Sequence, residues 1–264
     1  MNEYMYDINS MSIALVLLIT IMLAVEAGCR IGMRKHAYRS DAFKSHVNAT
    51  SASLLGVLAL ILGFTFSLSL QRFDARSDAV VNEANAIGTA YLRAQLLPAS
   101  ISDDARKMLG DYLDLRIRMS TLDVSDHAGR ETLLGKTNQA QAALWACARQ
   151  AAAGTQSPVM AGLFVQSIND LIDAFGRRDA ALNRHVPETV LLLLYVSLLM
   201  AGAVAGYAAG VAGHHASFAT YIMVTLIVVL VAVILDLDRP RRGLIQVSQK
   251  SLVDLQATIP ATTR

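Results

Sequence analysis

Four apolar stretches, set two and two around a long charged middle, constrain this chain more than any other feature of it. They cover residues 11–29, 52–70, 189–213 and 218–237. Each is close to the roughly 20 residues a helix needs to cross about 30 Å of hydrocarbon. Lipid offers the backbone no hydrogen-bond partner, so runs of this kind are read as helices. The chain is 54% hydrophobic and only 17% charged, with a mean hydropathy of +0.41. That is too apolar for an ordinary soluble domain. The expectation is an all-α integral membrane protein in contact with the lipid bilayer.

The remaining composition excludes more than it suggests. A formal net charge of +2, with no basic stripe interleaved with aromatics, argues against nucleic acid as a partner. The two cysteines, Cys29 and Cys147, lie in different segments, so they form neither a disulfide framework nor a metal site. The segment before the first apolar run carries Glu3 and Asp7 and no basic residue. A secretory signal has the reverse arrangement, which makes this run a retained anchor.

Charge also bears on orientation. Arg30, Arg34, Lys35, Arg39 and Lys44 follow the first span, and basic residues beside a span tend to stay in the cytoplasm. This places the N-terminus and the middle domain outside, in the periplasm if the membrane is a bacterial inner membrane. Arg239, Arg241, Arg242 and Lys250 beyond the fourth span argue for the opposite orientation. The acidic N-terminus and the usual primacy of the first span favour the external domain.

The middle region reads as four helices. Phe73, Ser77, Val80, Ala84, Ile87, Tyr91 and Ala94 alternate spacings of four and three, a heptad stripe continuing from the second span. Pro98 ends it. A second helix opens at Ser102 as N-cap, with Leu109, Tyr112, Leu113 and Ile117 as its apolar face. A third covers 131–153 with Leu134, Leu144 and Trp145, and a fourth starts at Ser157 and Pro158. The stripe of the fourth is Met160, Phe164, Ile168, Leu171 and Phe175. The expected organisation is a transmembrane hairpin over 1–70, a four-helix bundle over 71–186, a second hairpin over 187–237 and a tail over 238–264.

Within the spans, a few residues depart from plain apolar filling. Gly202, Gly206 and Gly210 form two overlapping G-x-x-x-G units, which let helix backbones approach closely. Such a seam packs helices within one subunit, between subunits or along a pore. Gly56, Gly63, Ser67 and Gln71 share one face of the second span, with Phe64 and Phe66 nearby. A ring of those phenylalanines would make a constriction that gates by dewetting; otherwise they face lipid or a neighbouring helix. Glu26 is the acid inside the first run, and Arg30 follows it at i+4. The two form either an intramembrane ion pair that fixes the depth of the span or an ion or proton site. Asp236 and Asp238 end the fourth span as candidate pore-mouth acids, or as a solvated helix end beside Arg239.

Catalytic signatures are missing. There is no nucleophile elbow, phosphate-binding glycine loop or zinc-protease motif. The adjacent His214 and His215 lack further ligands for a metal, so no catalytic residue, cofactor or metal is expected. Asn82, Glu83 and Asn85 form a polar cluster that is either buried hydrogen bonding or a ligand site in the bundle.

Three stretches carry a family resemblance: Leu62-Gly63-Phe64-Thr65-Phe66-Ser67-Leu68, Arg72-Phe73-Asp74-Ala75-Arg76, and Glu83 through Ala94. With Glu26 to Gly32 and the ending Leu235 to Ser248, they resemble a largely bacterial family with a bestrophin-like domain. The resemblance implies kinship with bestrophins, pentameric anion channels with four membrane segments per subunit. The resemblance does not align the bestrophin pore with this chain residue by residue, so no pore residue is carried over. Bestrophins keep their helical bulk in the cytosol, so the resemblance and the charge pattern imply opposite orientations.

Three functions follow from these readings. A homo-oligomeric channel would carry inorganic ions through a pore lined by the second or third span. A sensor or signalling scaffold would use its bundle to bind a ligand or a partner protein. A membrane enzyme is disfavoured by the missing catalytic groups.

Overall fold

The structure, a computed structural model, describes residues 10–34, 40–122, 126–154, 157–239, 243 and 245–259. Glu3, Asp7, Lys35, Arg39, Arg241 and Arg242, six of the charges used to argue orientation, lie outside the described residues. Among the described residues there are eight helices and no strand. They are α1 (Ser10–Met33), α2 (Asp41–Ala94), α3 (Ala99–Thr121), α4 (His127–Gly154), α5 (Pro158–Leu182), α6 (Glu188–Val211), α7 (Phe218–Asp238) and α8 (Lys250–Thr258). Four of these, α1, α2, α6 and α7, are long and apolar enough to cross a membrane. The chain divides into two compact units, Met1–Phe73 with His185–Gln246, and Asp74–Arg184 with Val247–Arg264.

The first unit holds the apolar helices. Leu17, Ile21 and Val25 of α1 pack with Leu58 and Leu62 of α2, Leu191, Leu194 and Leu198 of α6, and Val224, Val228 and Val231 of α7. The closest approach is between α1 and α6. A Cβ on Gly206 would run into the carbonyl of Val25, and one on Gly210 into that of Cys29. The reciprocal contacts come from α1, where Gly28 faces the carbonyl of Ala203 and Gly32 that of Tyr207. Because Gly202, Gly206 and Gly210 meet Ile21, Val25 and Cys29 in ascending order, the two helices run parallel. The seam is therefore filled within one subunit, and α1 supplies half of it through its own glycines spaced four apart. At the end of α6, Gly213 adopts φ 87°, a left-handed conformation that glycine adopts without steric cost. His214 sits in the turn that follows, its carbonyl accepting from the Cys29 thiol at 3.5 Å.

The second unit is built on the stripes of its helices. Val80, Ala84, Ile87, Tyr91 and Ala94 of α2 are buried, as are Leu109, Tyr112 and Leu113 of α3 and Phe164, Ile168 and Leu171 of α5. Pro158 takes the first position of α5 after the N-cap Ser157. Some expectations fail. Helix α3 starts at Ala99, directly after Pro98, so Ser102 is not a cap but a buried residue inside the helix. Leu134, Trp145 and Met160 are exposed rather than core-facing. The residues expected only as a tail include α8, whose Leu252 is fully buried. Gln256 of α8 donates to Asp114 at 2.6 Å, and the Leu255 side chain lies against Gly88.

These contacts separate two kinds of glycine. Replacing Gly206 with leucine forces a side chain into the α1 backbone, an overpacking cost of roughly 3 kcal/mol or more. A Cβ on Gly56 would meet no atom within 4 Å, so Gly56→Leu should leave the fold intact. Thermal unfolding of the two variants in one detergent should show a large loss for the first and little change for the second.

Candidate functional site

Span helices that face lipid expose leucine, isoleucine and valine, and most of this chain does so. Leu15, Val16, Ile19 and Leu23 of α1, Leu192, Leu193 and Val196 of α6, and Ile222, Leu226 and Val229 of α7 are all exposed. Helix α2 is different. Its uncovered face in the first unit carries Ser53, Gly56, Leu60, Gly63, Ser67 and Gln71 at spacings of three and four, with Phe64 beside Gly63. A Cβ on Gly56 or Gly63 would point into open space, and Gln71 donates to Ser67 at 3.3 Å along the same face. Phe64 is 68% exposed, whereas Phe66 is partly buried against the apolar core. The two phenylalanines expected to act together thus point to different surroundings, and only Phe64 stands beside the uncovered stripe.

Glu26 and Arg30 meet at 2.8 Å, with side-chain exposures of 36% and 70%. An i,i+4 pair within a span offsets two charges that hydrocarbon would penalise singly. Asp236 and Asp238, read as pore-mouth acids, are buried instead. Asp236 accepts from the backbone N–H of Ile245 at 2.8 Å, and the chain passes close over its carboxylate at Gly243. Asp238 accepts from the Val186 N–H at 2.9 Å, and its carbonyl lies 3.3 Å from His185 Nδ1. Their carboxylates hold the segments just before α6 and just after α7, and both are buried.

In the second unit the Asn82, Glu83, Asn85 cluster comes apart. Asn82 and Asn85 are exposed, while Glu83 is fully buried. Arg116 Nε donates to Glu83 Oε1 at 2.5 Å, and Arg178 Nη1 donates to Glu83 Oε2. The Arg116 guanidinium lies 4.6 Å from the centre of the Phe175 ring, a favourable cation–π distance. Tyr112 is 3.5 Å from Glu83 Oε1 and accepts from Gln141 at 3.3 Å. Arg178 Nη2 donates to Gln249 at 2.7 Å. One carboxylate thus ties α2 to α3 and α5, and through Arg178 to the segment leading into α8.

Burial pushes the Glu83 carboxyl up, but the charges and hydrogen bonds of Arg116 and Arg178 outweigh it and hold the group below the usual carboxylate range. Burial, reinforced by the Glu83 charge, raises the Tyr112 hydroxyl. Burial likewise raises the Cys147 thiol, with Asp104 adding to it. Among the described residues no group of His, Cys, Asp and Glu could hold a metal ion.

Arg116 and Arg178 are absent from the residues that sequence pattern singles out, although the signal is present. Arg116 continues the Leu109, Tyr112, Leu113 face, and Arg178 continues the Ile168, Leu171, Phe175 face. A charged residue in core register needs a buried partner, and Glu83 stands in the same register between Val80 and Ala84.

The model of the bestrophin-like domain matches residues 13–252. The chain belongs to the bestrophin-like family. A crystal structure of a bacterial bestrophin homologue from Klebsiella pneumoniae matches with a TM-score of 0.67 at 16% identity, covering 94% of this chain and 97% of that one. Another structure of the homologue from this organism gives 0.59 at 17% identity, covering 91% and 99%. A further crystal structure of a membrane protein gives 0.66 at 16% identity, covering 92% and 97%. No match was found among curated proteins. At these identities the likeness is one of fold, and the chain has the bestrophin-like helical fold.

Because Glu83 is held ionised, its contribution is fully present above about pH 4.5, the ordinary carboxylate value. It is lost as pH falls below that and through the lowered folded value. Thermal unfolding of the whole protein between pH 7 and 3 should show this loss. Glu83→Gln, which leaves two buried arginines without their carboxylate, should cost about 3–5 kcal/mol at pH 7 and flatten the acid limb of the profile.

Proposed function

We propose that this bestrophin-like protein is a homo-oligomeric ion channel whose pore is lined by the second span, α2. The observation that carries the reading is the uncovered face of α2 through Gly56, Gly63, Ser67 and Gln71. Glycine and polar side chains gain nothing from lipid, and in a span they belong against another helix or water. A ring of copies would place the face on an axis, with Phe64 as the constriction and inorganic ions as the species carried. The third span is a weaker candidate for pore lining, since its glycines already pack against α1. A pentamer is the stoichiometry that family analogy supplies.

The setting proposed is the bacterial inner membrane, with the basic residues between α1 and α2 cytoplasmic and the bundle periplasmic. Asn85 is exposed, so Asn85→Cys in intact cells should react with a maleimide that cannot cross the inner membrane. Labelling only after lysis would reverse the orientation.

Planar-bilayer recording, with the oligomeric mass measured on the same sample, tests the channel. Wild type should give unitary currents from one defined oligomer. Phe64→Ala should raise the conductance by about twofold or more, whereas Phe66→Ala, which removes an internal packing contact, should lower stability with the unitary current unchanged. A folded oligomer silent across voltage, pH and ion gradients would remove the channel reading.

A further inference from the structure

The second unit has an open cleft of about 360 Å³ between α2 and the end of α5, room for roughly a dozen water molecules. One wall carries Asp78 and Asn82, the other Arg177 and Arg184, over a floor of alanines. All four polar side chains are exposed. None of the four side chains makes a hydrogen bond or ion pair among the described residues. The backbone beside Arg184 is fixed, because the buried Arg76 donates to its carbonyl at 2.7 Å and to that of Ala181 at 3.1 Å.

Both walls lie close in the chain to a span. Leu70 ends the apolar run five residues before Ala75, and Arg184 precedes Glu188, the first residue of α6, by four. At about 1.5 Å per helical residue, the five residues from Leu70 to Ala75 along α2 rise about 7.5 Å. A plain anion would meet the arginines but also Asp78, and a plain cation would meet the reverse. A group carrying an anion and a cation a few bonds apart satisfies both walls.

We propose that this cleft binds the headgroup of a phospholipid bearing a primary amine, its phosphate on Arg177 and Arg184 and its ammonium on Asp78 and Asn82. Arginine suits phosphate because its planar fork can donate two hydrogen bonds. A primary ammonium has three N–H donors for a carboxylate and an amide oxygen. The proposal goes beyond the channel reading and holds whether or not the protein conducts.

The test is native mass spectrometry of the full-length protein after exchange into nanodiscs of equal parts phosphatidylethanolamine, phosphatidylglycerol and phosphatidylcholine. Wild type should retain the ethanolamine lipid in clear excess. Arg177→Gln with Arg184→Gln should cut total retained lipid roughly tenfold, and the double lysine variant should recover part of it. Asp78→Asn should keep lipid but lose the preference for the amine. These side chains are exposed, so the variants should fold, and an unchanged melting curve checks that they do. Equal retention by wild type and the glutamine variant overturns the site. So does dissociation of the oligomer with bound lipid unaltered, which would make the cleft a contact between copies. Tight binding of soluble phosphoethanolamine to the lipid-stripped protein would overturn the lipid source and assign the cleft to a soluble phosphoryl amine.

Discussion

The first unit rests on the contact of one helix backbone with another. Where Gly206 and Gly210 meet the carbonyls of Val25 and Cys29, and Gly28 and Gly32 meet those of Ala203 and Tyr207, no side chain separates α1 from α6. In lipid there is no hydrophobic gain from pairing two apolar helices, and dense packing takes over that role. Two glycine faces used up on each other cannot serve elsewhere. That narrows the uncovered surface of the unit to ordinary apolar faces and the one face of α2 with small and polar residues.

The second unit is organised around charge rather than close approach. Glu83 faces two arginines, so the cluster carries an excess of positive charge in a buried place. Such a group is expensive to desolvate and is tolerable only with its hydrogen bonds made. Phe175 under Arg116, Tyr112 and Gln141 beside the carboxylate, and Gln249 on Arg178 supply those contacts. The result selects one packing of α2, α3 and α5, because a slip of any helix by a turn would strand a buried charge. The same cluster reaches the segment before α8, which is why residues near the end of the chain pack as part of the bundle.

Periodicity made much of this legible in advance. The four spans, the buried stripe from Val80 to Ala94 and the Ser157-Pro158 start of α5 follow from local rules of burial and capping. Met160 misled because it lies in the first turn of α5, where an apolar side chain can lie beyond its neighbours' reach, while nothing in the structure explains the exposure of Leu134 and Trp145 inside α4. Pro98 overrode Ser102 because proline fits the start of a helix and Ser102 lies one turn inside it. The charge cluster could be read only in part. Register places Glu83, Arg116 and Arg178 on core faces, but which acid meets which base depends on how helices far apart in sequence are juxtaposed. Asp236 and Asp238 were misjudged for a related reason, since the partners of each include a backbone N–H group that no sequence pattern marks. Half of the glycine seam went unread because Gly28 and Gly32 lie at the end of the first apolar run, where a polar neighbourhood hides their spacing.

The parallel pairing of α1 with α6 also sets an order of assembly. Roughly 180 residues separate Val25 from Gly206, and a ribosome adding about 5–20 residues per second needs on the order of ten seconds or more to bridge them. Throughout that interval α1 resides in the bilayer with its glycine groove open to acyl chains, and its partner does not yet exist. Completion of the unit is therefore a late event in biogenesis, in which an arriving helix must displace lipid from a surface shaped for backbone.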